Sequence, residues 1–146
     1  MPHYRAYEHG DLDAVAALWL DSFLSVGLGI EAGPVEALRA RIPLELADDW
    51  QVTVAMESGE IVGFLAVKPA TKVLDQLFIT PSAKGMGIGT ALLQKAMALM
   101  PAGFTLRTQR DNQRARAFYI ARGLRQIEPP VAASAFSYPV VYYAWP

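Results

Sequence analysis

Short dense apolar runs and longer runs of helical period follow one another along this chain, and their order sets the expected elements. Trp50 to Met56 and Ile61 to Lys68 are apolar runs joined by Glu57-Ser58-Gly59-Glu60, the composition of a hairpin turn. A second turn, Pro69-Ala70-Thr71-Lys72, leads into a third run with Val73, Leu74, Leu77, Phe78 and Ile79. Pro81 cannot donate to a sheet ladder and ends that strand. The period then changes. Ile88, Leu92, Ala96 and Met100 recur every four residues beside Leu93 and Met97, a helix face that stops at Pro101 and Gly103.

The flanks extend this pattern. His3 to Tyr7 predicts a first strand, and Asp11 is placed to cap a helix whose face is Leu12, Val15, Ala16, Trp19 and Phe23. Gly27-Leu28-Gly29-Ile30 and Gly33-Pro34 break it, and Pro34 suits the first position of a second helix running to about Ile42. Beyond the long helix, Phe104 to Thr108 predicts a strand parallel to Val73–Ile79, completing a right-handed βαβ crossover. Asp111 or Asn112 caps the next helix and Gly123 ends it. Leu124 to Ile127 and Val140 to Trp145 then read as a closing hairpin. The expected fold is α/β, with a mixed, mainly antiparallel central sheet flanked by helices and one parallel crossover, in a single domain over residues 1–146.

Composition narrows the function. With 53% hydrophobic residues in 146, the chain is long enough to close a core without staples. The absence of cysteine removes disulfides, thiolate metal sites and cysteine nucleophiles, and two histidines are too few for a convincing metal site. A net charge of −1 gives no global field to recruit nucleic acid. No apolar run approaches the length of about 18 residues needed to span a bilayer, and the first residues lack an apolar signal core, so a cytoplasmic protein without membrane contact is expected.

Between the third strand and the long helix, glycine stands at 85, 87 and 89, where the first helical N–H groups have no intrahelical partner. Unpaired N–H groups and the positive end of the helix dipole suit an anion such as pyrophosphate, although three glycines also serve simply to make a tight turn. The P-loop pattern requires Lys-Ser/Thr after the last glycine, whereas Thr90-Ala91 follows Gly89. A Rossmann fingerprint is spaced differently and opens an early βαβ unit, whereas these glycines lie past mid-chain.

The stretch Lys84-Gly85-Met86-Gly87-Ile88-Gly89-Thr90-Ala91-Leu92-Leu93 resembles the Gln/Arg-x-x-Gly-x-Gly/Ala signature of the GNAT superfamily of acyl-CoA-dependent N-acetyltransferases. Lys84 departs from it, keeping a cation but losing the planar fork of arginine. Downstream, Asn112 to Leu124 resembles the family's Asn-x6-Tyr helix ending in Gly-Phe, with Leu124 in place of the Phe. The resemblance implies an acetyl-CoA-dependent transfer to a primary amine, by direct attack on the thioester and without a metal. The acceptor is a small amine or a protein amino group, and a homodimer is compatible with it. A catalytically idle CoA-binding sensor or interaction module on the same fold is the alternative.

The resemblance also implies roles. Lys84, Gly85, Met86, Gly87, Ile88, Gly89 and Thr90 would hold the pyrophosphate, and Phe78 and Ile79 would pair with the pantetheine arm, the Ile79 N–H facing the thioester oxygen. Asn112 would bind the cofactor, or else only cap its helix. Tyr119 matches the tyrosine that protonates the departing thiolate, its own alternative being a core aromatic. An alkylammonium of pKa about 10.4 must lose a proton before it attacks. Asp75, four residues before Ile79, is the candidate base, with pairing to an arginine or exposure to solvent as the alternatives. Glu45, Asp48 and Asp49 are either a water relay or plain surface. The connection between the first two helices would border the acceptor pocket, or else is an ordinary loop.

Overall fold

A computed structural model describes residues 2–25, 35–83, 85–129 and 139–146. The glycine-rich break from Gly27 to Pro34 and the Lys84 position therefore lie outside the described residues, as does the side chain of Phe23. Seven strands, β1 (His3–Ala6), β2 (Gln51–Glu57), β3 (Glu60–Lys68), β4 (Val73–Ile79), β5 (Phe104–Gln109), β6 (Arg125–Ile127) and β7 (Val140–Trp145), form one sheet in the order β1-β2-β3-β4-β5-β7-β6. Every neighbouring pair is antiparallel except β4 and β5. Four α-helices, α1 (Leu12–Ser25), α2 (Val35–Asp48), α3 (Ile88–Leu99) and α4 (Gln113–Ala121), and two short 3-10 turns, His9–Asp11 and Pro81–Ala83, accompany the sheet among the described residues.

Strand alternation sends apolar residues to both faces, so the sheet carries two cores. Val52, Val54, Phe64 and Ala66 pack with Val15, Trp19, Ile42 and Trp50 on the α1/α2 side. Leu65, Val67, Leu74 and Leu106 pack with Ile88, Leu92, Ala96 and Tyr119 on the α3/α4 side. The β2–β3 hairpin turns through Ser58 (φ 53°) and Gly59 (φ 81°), the two positive φ values that match the twist of a two-residue hairpin.

Two expectations are corrected. The second helix does not stop near Ile42 but runs through Pro43 to Asp48. Leu38, Ile42 and Leu46 are one turn apart and all pack into the α1/α2-side core, and that stripe carries the helix across the hydrogen bond proline removes. Asp11 stands before α1, but its carboxylate turns back instead of capping forward. It accepts the Glu8 N–H at 2.8 Å and pairs with Arg5 at 2.8 and 3.0 Å. The Arg5 hydrogen bond holds the Asp11 carboxyl below its ordinary value of 3.8.

Two irregularities position the site. In the β3–β4 ladder Gln76 lies opposite Ala66 and Leu74 opposite Val67, so Asp75 is the extra residue of a bulge. A bulge bends its strand and increases its twist. On the other side of β4, registered pairing with β5 is limited to Val73 opposite Thr105, at the amino ends of both strands. From there the parallel strands part.

Candidate active site at the divergence of two parallel strands

The glycines after β4 do different work. Gly85 (φ 89°) and Gly87 (φ 78°) hold left-handed backbone, and nothing lies within 4 Å of where a Cβ on either would stand. Gly87 is the N-cap of α3, and the first bond of that helix runs from the Ala91 N–H to the Gly87 carbonyl at 3.1 Å. The N–H groups of Ile88, Gly89 and Thr90 thus precede the helical ladder. Gly89 is glycine for packing, because a Cβ there would sit 3.3 Å from two carbons of the Phe118 ring. Met86 is exposed between the two left-handed glycines, while Ile88 is buried beneath the turn. This is an open cradle of backbone donors that side chains would fill, and it fits a diphosphate.

The seat of α3 depends on Gly63 of β3. A Cβ there would meet the Ile79 side chain at 3.0 Å, the Phe78 carbonyl at 3.1 Å and Ile88 at 3.4 Å. Phe78 and Ile79 split between the faces. Phe78 stacks with Phe64 (5.8 Å) and Trp19 (6.3 Å) on the α1/α2 side, and Ile79 packs in the α3/α4-side core. Thr80 donates to the Val62 carbonyl at 2.8 Å, so strand alternation turns the Ile79 peptide toward the β5 side.

Asn112 is the N-cap of α4, its Oδ1 accepting the Ala115 N–H at 3.1 Å. Two turns on, Tyr119 is buried in the α3/α4-side core between Phe118 (5.3 Å, edge-on) and Tyr143 (6.1 Å). Burial alone pushes its phenol well above 10. The Tyr119 hydroxyl makes no hydrogen bond to a described residue.

Asp75 faces the other core. Its Oδ2 accepts the Trp50 indole N–H at 2.8 Å, its Oδ1 accepts from Arg107 at 3.0 Å, and the side chain is 6% exposed. The arginine pairing weighed beside catalysis is therefore present. The bond spans β4 and β5 two residues beyond their single registered pair. Tyr119 and Asp75 accordingly stand on opposite faces of the sheet, flanking the gap. Glu45 pairs with Lys68 at 3.4 Å, and Asp49 accepts the Ala70 N–H at 3.2 Å. Asp48 ends α2.

Trp50, Arg107, Gly63 and Arg122 were not among the expected site residues. Arg107 was accessible by register, since pairing residue 73 with 105 places 107 opposite 75. Arg122 follows Phe118 by one turn and lies over its ring, 3.9 Å from the centroid. A cleft of about 440 Å³ is lined by Arg5, Tyr7, Trp50 and Lys95, and no residue of the glycine turn lines it. Among the described residues no group of three His, Cys, Asp or Glu could hold a metal, and no helix is long and apolar enough to cross a membrane.

Residues 12–124 match the acetyltransferase (GNAT) family. The chain is 29% identical to peptidyl-lysine N-acetyltransferase YiaC of Escherichia coli K12, over 94% of this chain and 97% of that protein. It is 35% identical to peptidyl-lysine N-acetyltransferase YjaB of Salmonella typhimurium, over 86% and 84%. Its fold superposes on the PaiA N-acetyltransferase of Thermoplasma acidophilum, solved in complex with coenzyme A, with a TM-score of 0.78 at 17% identity, covering 99% of this chain and 98% of that one.

Proposed function

The chain belongs to the acetyltransferase (GNAT) family, and from that premise we infer that it carries an acetyl group from acetyl-CoA to the side-chain amine of a lysine. The observation that carries this reading is the open glycine cradle at the end of β4, beside a β4–β5 pair registered at a single position. Two relatives named for peptidyl-lysine acetylation support the acceptor class.

Acetyl-CoA supplies the acyl group as an activated thioester, and the chain supplies position and protons. The N–H groups from Ile88 to Thr90 and the α3 dipole bind the diphosphate, with Gly85 and Gly87 keeping side chains out of its way. The parted carboxyl halves of β4 and β5 orient a pantetheine arm, and the Ile79 peptide faces the carbonyl to be attacked. Asn112 fixes the start of α4, and with it the height of Tyr119.

Tyr119 stands on the α3/α4 face as the acid. Because burial raises its pKa, the phenol stays protonated, so it assists chiefly by hydrogen-bonding the departing sulfur instead of surrendering its proton early. The amine arrives from the opposite, α1/α2 face, where Asp75 stands as candidate base. Its Oδ2 is engaged by the Trp50 indole and its Oδ1 by Arg107, and each oxygen keeps a second lone pair that a water or amine can reach.

The test follows thiol release from acetyl-CoA with a lysine-containing peptide and with the same peptide carrying acetylated lysine. Release that depends on the free ε-amine, with acetyl-lysine as product, is the expected result. Tight acetyl-CoA binding without release to any amine would reduce the protein to a sensor.

A further inference from the structure

Taking Tyr119 as the acid of the proposed transfer, we propose that Arg116 is the positioning residue that fixes where the Tyr119 hydroxyl stands beside the gap between β4 and β5. No described residue holds that hydroxyl directly, so its place is set by the packing of its ring and the seat of its helix. The helix is thinly rooted. Of the nine residues of α4, Tyr119 alone is buried, and Ala115 and Phe118 are only partly so. A side chain that must meet a departing sulfur within hydrogen-bond reach needs a firmer seat than that.

Arg116, one turn before Tyr119 and on the same side of the helix, supplies it. All three guanidinium nitrogens donate: Nε to the Tyr143 hydroxyl at 3.0 Å, one terminal nitrogen to the Arg110 carbonyl at 2.9 Å and the other to Gln126 Oε1 at 3.2 Å. None of these acceptors is a carboxylate, so the fork is held by the directions of three neutral oxygens and not by a charge pair.

The three partners share one side of the gap. Arg110 follows β5, Gln126 is on β6 and Tyr143 is on β7, and the sheet order places β5, β7 and β6 together beyond β4. Arg116 therefore fastens α4 to the strands on that side. Tyr143 completes the arrangement. It is fully buried, its ring lies 6.1 Å from the Tyr119 ring, and its hydroxyl is the one that Arg116 grips. The surface against which Tyr119 rests is thus tied to the helix from which Tyr119 projects.

The experiment measures kcat and the acetyl-CoA dissociation constant for the native chain, Arg116→Met, Arg116→Lys and Tyr143→Phe, each with Tyr119 intact and in combination with Tyr119→Phe. Arg116→Met keeps much of the stem and loses all three bonds, and kcat is expected to fall by about 10- to 100-fold, as for a reacting group displaced by about 1 Å. Acetyl-CoA affinity should stay within about threefold. Arg116→Lys, which keeps a donor but not the fork, should fall between. Tyr143→Phe, which keeps the ring and removes one acceptor, should lower kcat by a smaller factor. Combined with Tyr119→Phe, each substitution should cost less than about twofold more, because no hydroxyl is left to position.

Native kcat in Arg116→Met would overturn the proposal. So would a loss that repeats in full on top of Tyr119→Phe, since Arg116 would then act on something other than the Tyr119 hydroxyl. If Arg116→Met fails to fold, Tyr143→Phe decides in its place, with native kcat or a fully repeated loss again overturning the proposal. If Tyr119→Phe alone keeps native kcat, the assignment of the acid fails, and the Arg116 proposal with it.

Discussion

Gly87 and Gly59 form a matched pair for testing where the cofactor binds. Their φ angles are 78° and 81°, and neither has a neighbour within 4 Å of a built Cβ. Gly59 lies in the β2–β3 hairpin, whereas Gly87 caps α3. Replacing either by Asp forces an L side chain into left-handed backbone, at about 1–2 kcal/mol. For a chain of this length that is roughly 3–6 °C of melting temperature. Both variants should therefore lose similar stability without ligand, Gly87→Asp somewhat less because a carboxylate at a helix start is favourable. Acetyl-CoA at about a hundred times its dissociation constant adds roughly 2.7 kcal/mol to a protein that binds it only when folded. That upward shift should survive in Gly59→Asp and vanish in Gly87→Asp, whose carboxylate stands where the diphosphate would lie. Thermal melts of the three proteins with and without acetyl-CoA decide the matter. An undiminished shift in Gly87→Asp would refute the placement of the cofactor, whatever the melting temperatures without ligand.

Tyr119→Phe keeps the ring between Phe118 and Tyr143 and removes only the hydroxyl, so kcat should fall by roughly 10² to 10⁴ with cofactor affinity within a few-fold; near-equal kcat under chemistry-limited conditions would leave Tyr119 a core aromatic. Because burial raises that phenol, it should cause no alkaline fall in rate below about pH 10. Asp75→Asn should lower kcat, flatten the acid limb of the pH–rate profile and reduce the melting temperature by removing the charge that Asp75 sets against Arg107; a lower melting temperature with an unchanged profile would limit Asp75 to a strut. Asp11→Asn should be destabilising by melting, with the full deficit above about pH 3.8. Since the folded-state pKa of Asp11 is depressed, the deficit should shrink as pH falls through that lower value, and a pH-independent deficit would refute the Arg5 pairing as its source.

Local signals wrote the strands and helices plainly, because each apolar run has its own period and its own turn residues. The β2–β3 turn, the end of β4 at Pro81 and the cap at Asn112 all follow from residues next to one another. What depended on contacts between distant elements was less legible. Pro43 reads as a stop until Leu38, Ile42 and Leu46 are seen to share one core, and Asp11 reads as a cap until Arg5 claims its carboxylate. Within the site the three glycines look alike in sequence, yet two serve backbone conformation and the third makes room for a ring from another helix. Asp75 carried two readings because an acid on a strand says nothing of what faces it, and its partners lie 25 and 32 residues away.

The parting of β4 and β5 puts an edge in the middle of a sheet. Past Val73 the β5-facing side of β4 has the character of an outer strand, a surface that proteins ordinarily shield because other chains add to it. Here the shielding comes from the fold itself, with packed layers on both faces and the Asp75–Arg107 charge pair across the root of the seam. A neighbouring strand, which needs a flat open margin, has no approach to it. A single thin chain bearing its own amide groups does, so under the proposed function the geometry that guards this protein against sticking to its neighbours also favours the shape of a pantetheine arm.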